Sequence, residues 1–284
     1  MKASSNVITI ENLEHRYKNN FLALNNISFT VSSGEFTAII GQNGAGKTTL
    51  IKHLNGLLRP SSGRVLIAGM DTAVVKITDL ARKVGYVFQN PDHQIFKDTV
   101  FKEVAFGPTN LGLNKNEVAK RVNEALMAVG LINLAEANPQ NLSKGQRQRA
   151  ALASVLAMKT EVIVLDEPTT GQDYKESLQI MDLAKSLNNA GHTILFVTHD
   201  MSLVAKYARR VIALCKGRVI LDGPTREVLT RADELKETHL NPPQITELAL
   251  ALKDDRCSLG VLTPEELYSL LAERKGGIAC GRSN

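Results

Sequence analysis

The plainest chemistry in the chain lies in eight consecutive residues: Gly41, Gln42, Asn43, Gly44, Ala45, Gly46, Lys47 and Thr48. They fit the spacing GxxxxGK[ST]. Glycines at those positions let the backbone curl until successive N–H groups converge, a concavity that holds a phosphate. An apolar run at 36–40 precedes them, and a helix is expected from 47 to about 57, whose positive end adds to the attraction. Lys47 is then placed to reach the β- and γ-phosphates, and the Thr48 hydroxyl to ligand Mg²⁺, with Thr49 next in the same phosphate-contacting run. The expectation is a bound nucleoside triphosphate.

A second cluster lies at 166–167. Four apolar residues (Val162, Ile163, Val164, Leu165) run directly into Asp166 and Glu167. Carboxylates in that place face the ligand end of an α/β sheet, which argues against a merely solvated acidic pair. Asp166 would hold Mg²⁺ or its water, completing an oxygen shell with Thr48 and phosphate oxygens. Glu167, one residue on, would poise a water for in-line attack on the γ-phosphate.

These residues need a scaffold, and the chain has the means to build one. It has 284 residues and a mass of 31.0 kDa, with 43% hydrophobic and 22% charged residues, which rules out wholesale disorder. No apolar run approaches the ~20 residues of a membrane span, and residues 1–6 contain no secretory h-region. The expectation is therefore a chain that does not itself cross a bilayer. Net charge is 34 − 29 = +5, but basic residues occur at most two together with acids between them. That reads as a mixed solvated surface with no nucleic-acid partner. Cys215, Cys257 and Cys280 show no metal-ligand or disulfide spacing, as suits a reducing compartment.

Runs at 36–40, 161–165 and 193–197 are apolar without alternation, as expected for parallel strands buried on both faces. Helical patterns at 116–129, 143–158 and 174–189 separate them. Strand-like segments at 7–10, 27–31 and 64–68, split by Ser/Gly turns, suggest an antiparallel β subdomain. The expected fold class is α/β, with residues 1–240 as the main domain. From Asn241, Pro242 and Pro243 the pattern changes, and residues 241–284 hold one helix to about 252 and another starting at Pro264. Thr263 would cap that second helix and Glu266 would reciprocate. About 45 residues cannot bury a core alone, so this extension must pack on the main domain or on another subunit. The stretch 276–284 is expected to be mobile.

Between the two acidic and glycine-rich landmarks stand Leu142, Ser143, Lys144, Gly145, Gln146, Arg147, Gln148 and Arg149. This run resembles the LSGGQ signature of ATP-binding-cassette (ABC) ATPases. Other motifs of that family follow in order over residues 7 to about 228. Tyr17 matches its adenine-stacking aromatic, Gln89 its Q-loop glutamine, Asp173 its D-loop aspartate and His199 its switch histidine. The resemblance implies a P-loop ABC ATPase domain with a parallel-sheet core, an antiparallel β subdomain and a helical signature subdomain. It implies ATP and Mg²⁺ as cofactors, with Gln89 touching the cation beside Thr48 and Asp166. It also implies two domains packed head to tail, so that Ser143, the Gly145 N–H and Gln146 of one close the nucleotide of the other. His199 would contact the γ-phosphate. An arginine finger supplied in trans to other P-loop enzymes is worth about 10³–10⁵ in rate, which sets the scale for such a contribution. Two residues depart from the family pattern. Lys144 stands where glycine is usual, at a cost of about 1 kcal/mol if the backbone there needs positive φ; otherwise it adds positive charge near the partner's ATP, and with Ser143 and Gly145 intact the site is expected to work. Gln172 stands where leucine is commoner.

The stretches 87–96, 99–108 and 110–113, with 168–173 and the short extension, look like the ATPases of energy-coupling-factor (ECF) transporters, importers of vitamins or transition-metal ions. The implied partners are a second ATPase subunit, identical or paralogous, an integral membrane coupling subunit and a small substrate-binding membrane subunit. The chain would sit peripherally on the cytoplasmic face of the membrane. Residues 90–97 would form the docking face, with Phe96, Phe101 and Phe106 serving its groove, and the extension would help hold two ATPases together. An importer ATPase working with a soluble binding protein is the alternative; a soluble switch protein of the two-cassette type is disfavoured by the single cassette.

Overall fold

The unbroken apolar runs become the centre of one sheet. A computed structural model describes residues 6–252 and 260–278, so Cys257, Cys280 and residues 279–284 lie outside the described residues. In chain order the first elements are β1 (Asn6–Arg16), β2 (Leu22–Ser32), β3 (Phe36–Ile40), α1 (Lys47–Leu54), β4 (Ser62–Ile67), β5 (Met70–Asp71), α2 (Ile77–Leu80), β6 (Val84–Val87), α3 (Val100–Asn110) and α4 (Lys115–Ala128). There follow α5 (Lys144–Met158), β7 (Val162–Asp166), α6 (Tyr174–Asn189), β8 (Thr193–Val197), α7 (Met201–Tyr207), β9 (Arg210–Cys215), β10 (Arg218–Pro224), α8 (Thr225–Thr230), α9 (Ala232–Glu237), α10 (Gln244–Ala251) and α11 (Pro264–Ile278).

Six strands form the main sheet in the order β10-β9-β3-β8-β7-β6. All neighbours in it are parallel except β10, which runs antiparallel to β9 at one edge. The second sheet, β2-β1-β4-β5, is antiparallel throughout. Ile39, Leu195 and Val197 face a core shared with the antiparallel sheet and α1. Phe36, Ala38, Ile40, Ile194 and Phe196 face the opposite core, packed with residues of α5, α6 and α7. Burial on both faces is why these strands show no alternation in the sequence. A third core joins α3, α4 and α5 through Val100, Val104, Val122, Leu126 and Ala153.

The structure departs from the sequence reading at several points, among them β1 (Asn6–Arg16) and β2 (Leu22–Ser32), which are longer than the segments 7–10 and 27–31. Helix α1 stops at Leu54, where Gly56 takes φ +72° and ends the turn short of residue 57. Helix α11 extends to Ile278, and residues 279–284 of the stretch expected to be mobile lie outside the described residues. Thr263 Oγ1 accepts the Glu266 N–H at 3.2 Å, but Glu266 does not return the bond to Thr263. Its carboxylate accepts the Leu262 N–H at 2.8 Å and the Arg226 guanidinium at 2.6 Å. A charged donor on α8 outcompetes a backbone amide, and it holds the Glu266 carboxyl below its ordinary range.

That ion pair ties the C-terminal segment to the rest. Ala249, Val261 and Leu267 form a small core of their own, while Leu240 and Leu262 pack against the helical side of the main sheet. No helix among the described residues is long and apolar enough to cross a membrane.

Candidate functional site

Strand β3 delivers the chain into the glycine-rich turn, and two of its glycines are forced. Gly41 takes φ +152° and a Cβ there would lie 2.5 Å from the Leu214 carbonyl oxygen. Gly46 takes φ +103° at the N-cap of α1, where a Cβ would lie 2.8 Å from the Ala23 carbonyl oxygen. Lys47 opens the helix with its side chain buried, donating from Nζ to the carbonyls of Gly41 (2.7 Å) and Gln42 (3.1 Å). Burial pulls its pKa down, while the charges of Glu167 and Asp166 pull it back up. A buried cation held by carbonyls is an anion site in waiting.

In front of it lies a cavity of about 560 Å³, within the ordinary range for a small-molecule site. Asn43, Gly44, Gly46, Lys47, Thr48 and Thr49 come to it from one turn, and Tyr17, Gln89, Glu167 and His199 from four other segments. Gln42 and Ala45 instead line a small neighbouring hollow beside Cys215, Lys216 and His239.

Glu167 is the strained member. Its φ is +43°, held by an N–H bond to the Val197 carbonyl at 3.0 Å. Left-handed backbone outside glycine costs about 1–3 kcal/mol and concentrates at functional sites. Its Oε2 accepts from Gln89 Nε2 at 2.9 Å and from Thr170 Oγ1 at 3.0 Å, and His199 Nδ1 lies 3.8 Å away. The carboxylate is thus held in one orientation by Gln89 and Thr170.

Asp166, at the end of β7, is buried and accepts the Tyr86 hydroxyl at 2.6 Å. Burial raises its pKa, opposed by the Tyr86 bond and by Lys47 and Lys52, with Glu167 adding to the rise. With the Thr48 hydroxyl and the Gln89 amide oxygen, the donors are all hard oxygens, the set that suits Mg²⁺. Among the described residues no group of three or more His, Cys, Asp and Glu is arranged to hold a metal. A cation here would complete its shell with substrate phosphate oxygens, the usual arrangement for Mg²⁺.

Tyr17 is anchored from behind. Its hydroxyl meets Thr49 Oγ1 at 3.0 Å and its ring meets His15 edge-on at 4.7 Å. His15 and His53 are buried together, His53 Nε2 lying 3.2 Å from His15 Nδ1 and His53 Nδ1 lying 2.8 Å from the Thr49 carbonyl. A carbonyl only accepts, so Nδ1 of His53 carries its proton; His15 Nδ1, which faces the Arg59 carbonyl at 3.1 Å, likewise carries one and shares it between that oxygen and His53 Nε2. Burial drives the His53 pKa down to about 4.

Ser143, Gly145, Gln146 and Asp173 do not border this cavity. Ser143 caps α5: its Oγ accepts the Gln146 N–H at 3.2 Å and Gln146 Oε1 accepts the Ser143 N–H at 2.9 Å. That reciprocal cap places Lys144 inside the first helical turn, so the strain considered from the sequence does not arise. Its Nζ donates to the Thr170 carbonyl at 2.8 Å. Gly145 packs where a Cβ would lie 2.8 Å from the Glu176 carboxylate. Asp173 caps α6, accepting the Glu176 N–H at 2.7 Å.

Sequence reasoning missed Phe21, Ala23 and Thr170, which border the cavity, and Tyr86 behind it. Thr170 sits three residues after Glu167, with its N–H bonded to the Glu167 carbonyl at 3.2 Å, a turn spacing that brings a hydroxyl back onto a carboxylate. A tyrosine in an apolar strand such as β6 needs a partner for its hydroxyl, which was the signal for Tyr86.

On another face an apolar groove of about 310 Å³ opens beside β6, α2 and α3. Phe96 and Phe106 meet edge-on there at 4.9 Å, with Lys97 Nζ over both rings at 4.8 and 4.7 Å. Phe101, expected with them, packs instead against the helical core of α3, α4 and α5. It lies five residues before Phe106 on α3, a separation that puts the two on different faces of a helix. Buried Glu103 accepts the backbone N–H groups of Phe96 and Lys97 at 3.0 and 2.9 Å, which fixes the loop entering the groove.

Residues 24–170 match the model of the ABC transporter family. A provisionally named ABC transporter ATP-binding protein of Caldanaerobacter subterraneus is 45% identical over 93% of the chain, and the chain spans 45% of that relative's length. The energy-coupling factor transporter ATP-binding protein EcfA2 of Clostridium perfringens is 40% identical over 98% of the chain and 99% of its own length. Among solved structures, cbiO1 of Clostridium perfringens, described as part of the ABC transporter complex cbiONQ, superposes with a TM-score of 0.76. It is 36% identical and covers 89% of this chain and 97% of its own.

Proposed function

The chain belongs to the ABC transporter family, among its energy-coupling factor ATP-binding proteins, and from that premise we propose that it binds and hydrolyses ATP to drive an ECF-type importer. The observation that carries this is the convergence on one cavity of a phosphate turn with its buried lysine and a strained, oriented glutamate. Asn43, Gly44, Gly46, Thr48 and Thr49 cradle the phosphates and Lys47 neutralises them. Tyr17, with Phe21 beside it, offers aromatic surface for the base. Gln89 and Thr170 hold Glu167 so that its carboxylate can take a proton from an attacking water, and His199 reaches the same place. Thr48, Gln89 and Asp166 are the residues that would hold Mg²⁺, which when bound supplies charge neutralisation at the phosphates.

The site is half of a working one. Ser143, Gly145, Gln146 and Asp173 stand away from the chain's own cavity, which fits a role at the nucleotide of a second subunit. The γ-phosphate would be enclosed only when two chains close head to tail, with the N-terminus of α5 directed at it. Residues 241–284 act as a separate extension that supports this pairing. Truncation before Asn241 should weaken self-association about tenfold while nucleotide affinity stays within twofold; unchanged light scattering would remove that role.

The apolar groove with Phe96 and Phe106 receives a cytoplasmic helix of an integral membrane coupling subunit, which places the chain peripherally on the cytoplasmic face. A small membrane subunit would bind the vitamin or metal-ion cargo. The test is a pull-down from native membranes with tagged Glu167→Gln protein and ATP, followed by mass spectrometry. A helical membrane subunit with a small binding subunit is the expected catch. Recovery of a soluble binding protein's permease instead would favour the other importer type, and soluble partners alone would overturn the transport reading.

A further inference from the structure

Tyr86 touches both the nucleotide side of the sheet and the apolar groove. Its hydroxyl donates to Asp166 Oδ2 at 2.6 Å, and its ring meets Phe88 edge-on at 4.7 Å in the wall of the groove. Strand β6 lies beside β7 in parallel, with Tyr86 paired in register to Val164, two residues before Asp166. Two consequences follow from that register. The phenol reaches along β7 to the carboxylate of its last residue, and one wall serves both the site and the groove. Phe88 is held in turn, its carbonyl accepting from Gln148 Nε2 at 3.3 Å and its N–H donating to Gln94 Oε1 at 3.3 Å. Tyr86 is therefore not free to swing.

We propose that Tyr86 is a positioning residue for the cation-binding carboxylate: it occupies Oδ2 of Asp166 and so presents Oδ1 toward the phosphate turn. A carboxylate that takes one hydrogen bond from a fixed donor loses its freedom to rotate, and outer partners of this kind set metal affinity. A phenol hydroxyl facing a carboxylate oxygen at 2.6 Å is the donor of that bond. Because the ring also lines the groove, whatever displaces Phe88 reaches Asp166 through one side chain. This route is separate from Gln89, which bonds Glu167. The inference rests on the reading that Asp166 takes the divalent cation.

The experiment is a Mn²⁺ titration of the full-length protein with ATP present, followed by the loss of the free-ion resonance signal, on a Glu167→Gln background so that ATP is not consumed. Tyr86→Phe removes one oxygen and keeps the ring against Phe88. It should weaken Mn²⁺ affinity about tenfold to a hundredfold, the range for outer partners of metal ligands. Affinity for ATP without metal should stay within twofold, as should the thermal midpoint within a few degrees. Mn²⁺ affinity unchanged in Tyr86→Phe overturns the proposal. So does a parallel fall of metal-free ATP affinity and thermal stability, which would make the tyrosine merely structural. Asp166→Asn separates the two layers. If it fails to weaken Mn²⁺ binding, the cation reading itself fails; if it weakens binding while Tyr86→Phe does not, only the positioning role is lost.

Discussion

Two regions of this molecule present helix N-termini suited to phosphate, and they are built in opposite ways. The turn before α1 is unfinished: Lys47 is buried on carbonyls, Glu167 is strained at φ +43°, and a cavity of about 560 Å³ stands open before them. The start of α5 is finished: Ser143 and Gln146 satisfy each other, and Lys144 is bonded to Thr170. One region stores backbone strain beside an open cavity, while the other is an edge whose capping groups satisfy one another. On the proposed reading the difference teaches that the first region does the chemistry and the second is presented to the nucleotide of another subunit.

The largest break in that comparison should come from Glu167→Gln. Turnover should fall a hundredfold or more with ATP affinity retained, because the amide cannot take a proton from water. Steady-state ATPase and equilibrium nucleotide binding check both halves, and near-normal turnover would remove Glu167 from its role. Next comes Ser143→Ala. It should leave nucleotide affinity of the isolated chain unchanged and lower turnover of the paired form about tenfold to a hundredfold, at or below the loss of one oxyanion-type donor. Ser143→Thr keeps the hydroxyl and the cap and should recover most of it. A loss of affinity in the isolated chain would show that the two regions meet within one subunit.

How much of this was legible in the sequence follows the same division. The phosphate turn, Asp166 and Glu167 were readable because each sits at a strand end marked by an unbroken apolar run. Thr170 and Tyr86 were not, because their partners are fixed by a loop geometry and by the parallel register of β6 on β7. For Lys144 the sequence leaves two readings open, strain or added charge, and the Ser143-x-x-Gln146 cap that starts the helix removes the first. The resemblance offers Phe96, Phe101 and Phe106 for the groove with core filling open for each, and the helical turn of α3 sends Phe101 to the core. The α5 edge shows a physical limit too: a sequence names the residues of a surface more readily than what it faces.

Acid should sharpen the contrast by damaging the first region. His53 lies on α1 behind the phosphate turn with its pKa lowered from about 6.5 to about 4 by burial. The unfolded chain takes up a proton below pH 6.5 that the folded chain refuses until about pH 4. Stability contributed by the neutral ring is therefore complete above 6.5 and lost as pH falls through that window. Between pH 7 and pH 5 the expected loss is about 2 kcal/mol, measured by urea denaturation. His53→Gln should flatten the dependence, and hydrogen exchange should show α1 loosening before α5. An equal slope in both proteins would exclude His53 as its source.

The smallest effect tests whether the two regions are independent at all. Lys144 Nζ donates to the Thr170 carbonyl, and the Thr170 hydroxyl donates to Glu167 Oε2. One lysine thus links the first turn of α5 to the loop that orients the glutamate, across 26 residues of sequence. A cation at a helix N-terminus is opposed by the helix dipole by about 0.3–1 kcal/mol, so its bond to Thr170 must at least offset that. Lys144→Ala should then change stability by no more than about 1 kcal/mol, since the two effects oppose each other. Turnover should fall a few fold, because Thr170 loses its tether and Glu167 is less firmly aimed. Thr170→Val should produce the same fall, and the double variant should add little to either single one. Additive losses would mean that Lys144 acts on the nucleotide of the other subunit through its charge, and the link within one chain would be incidental.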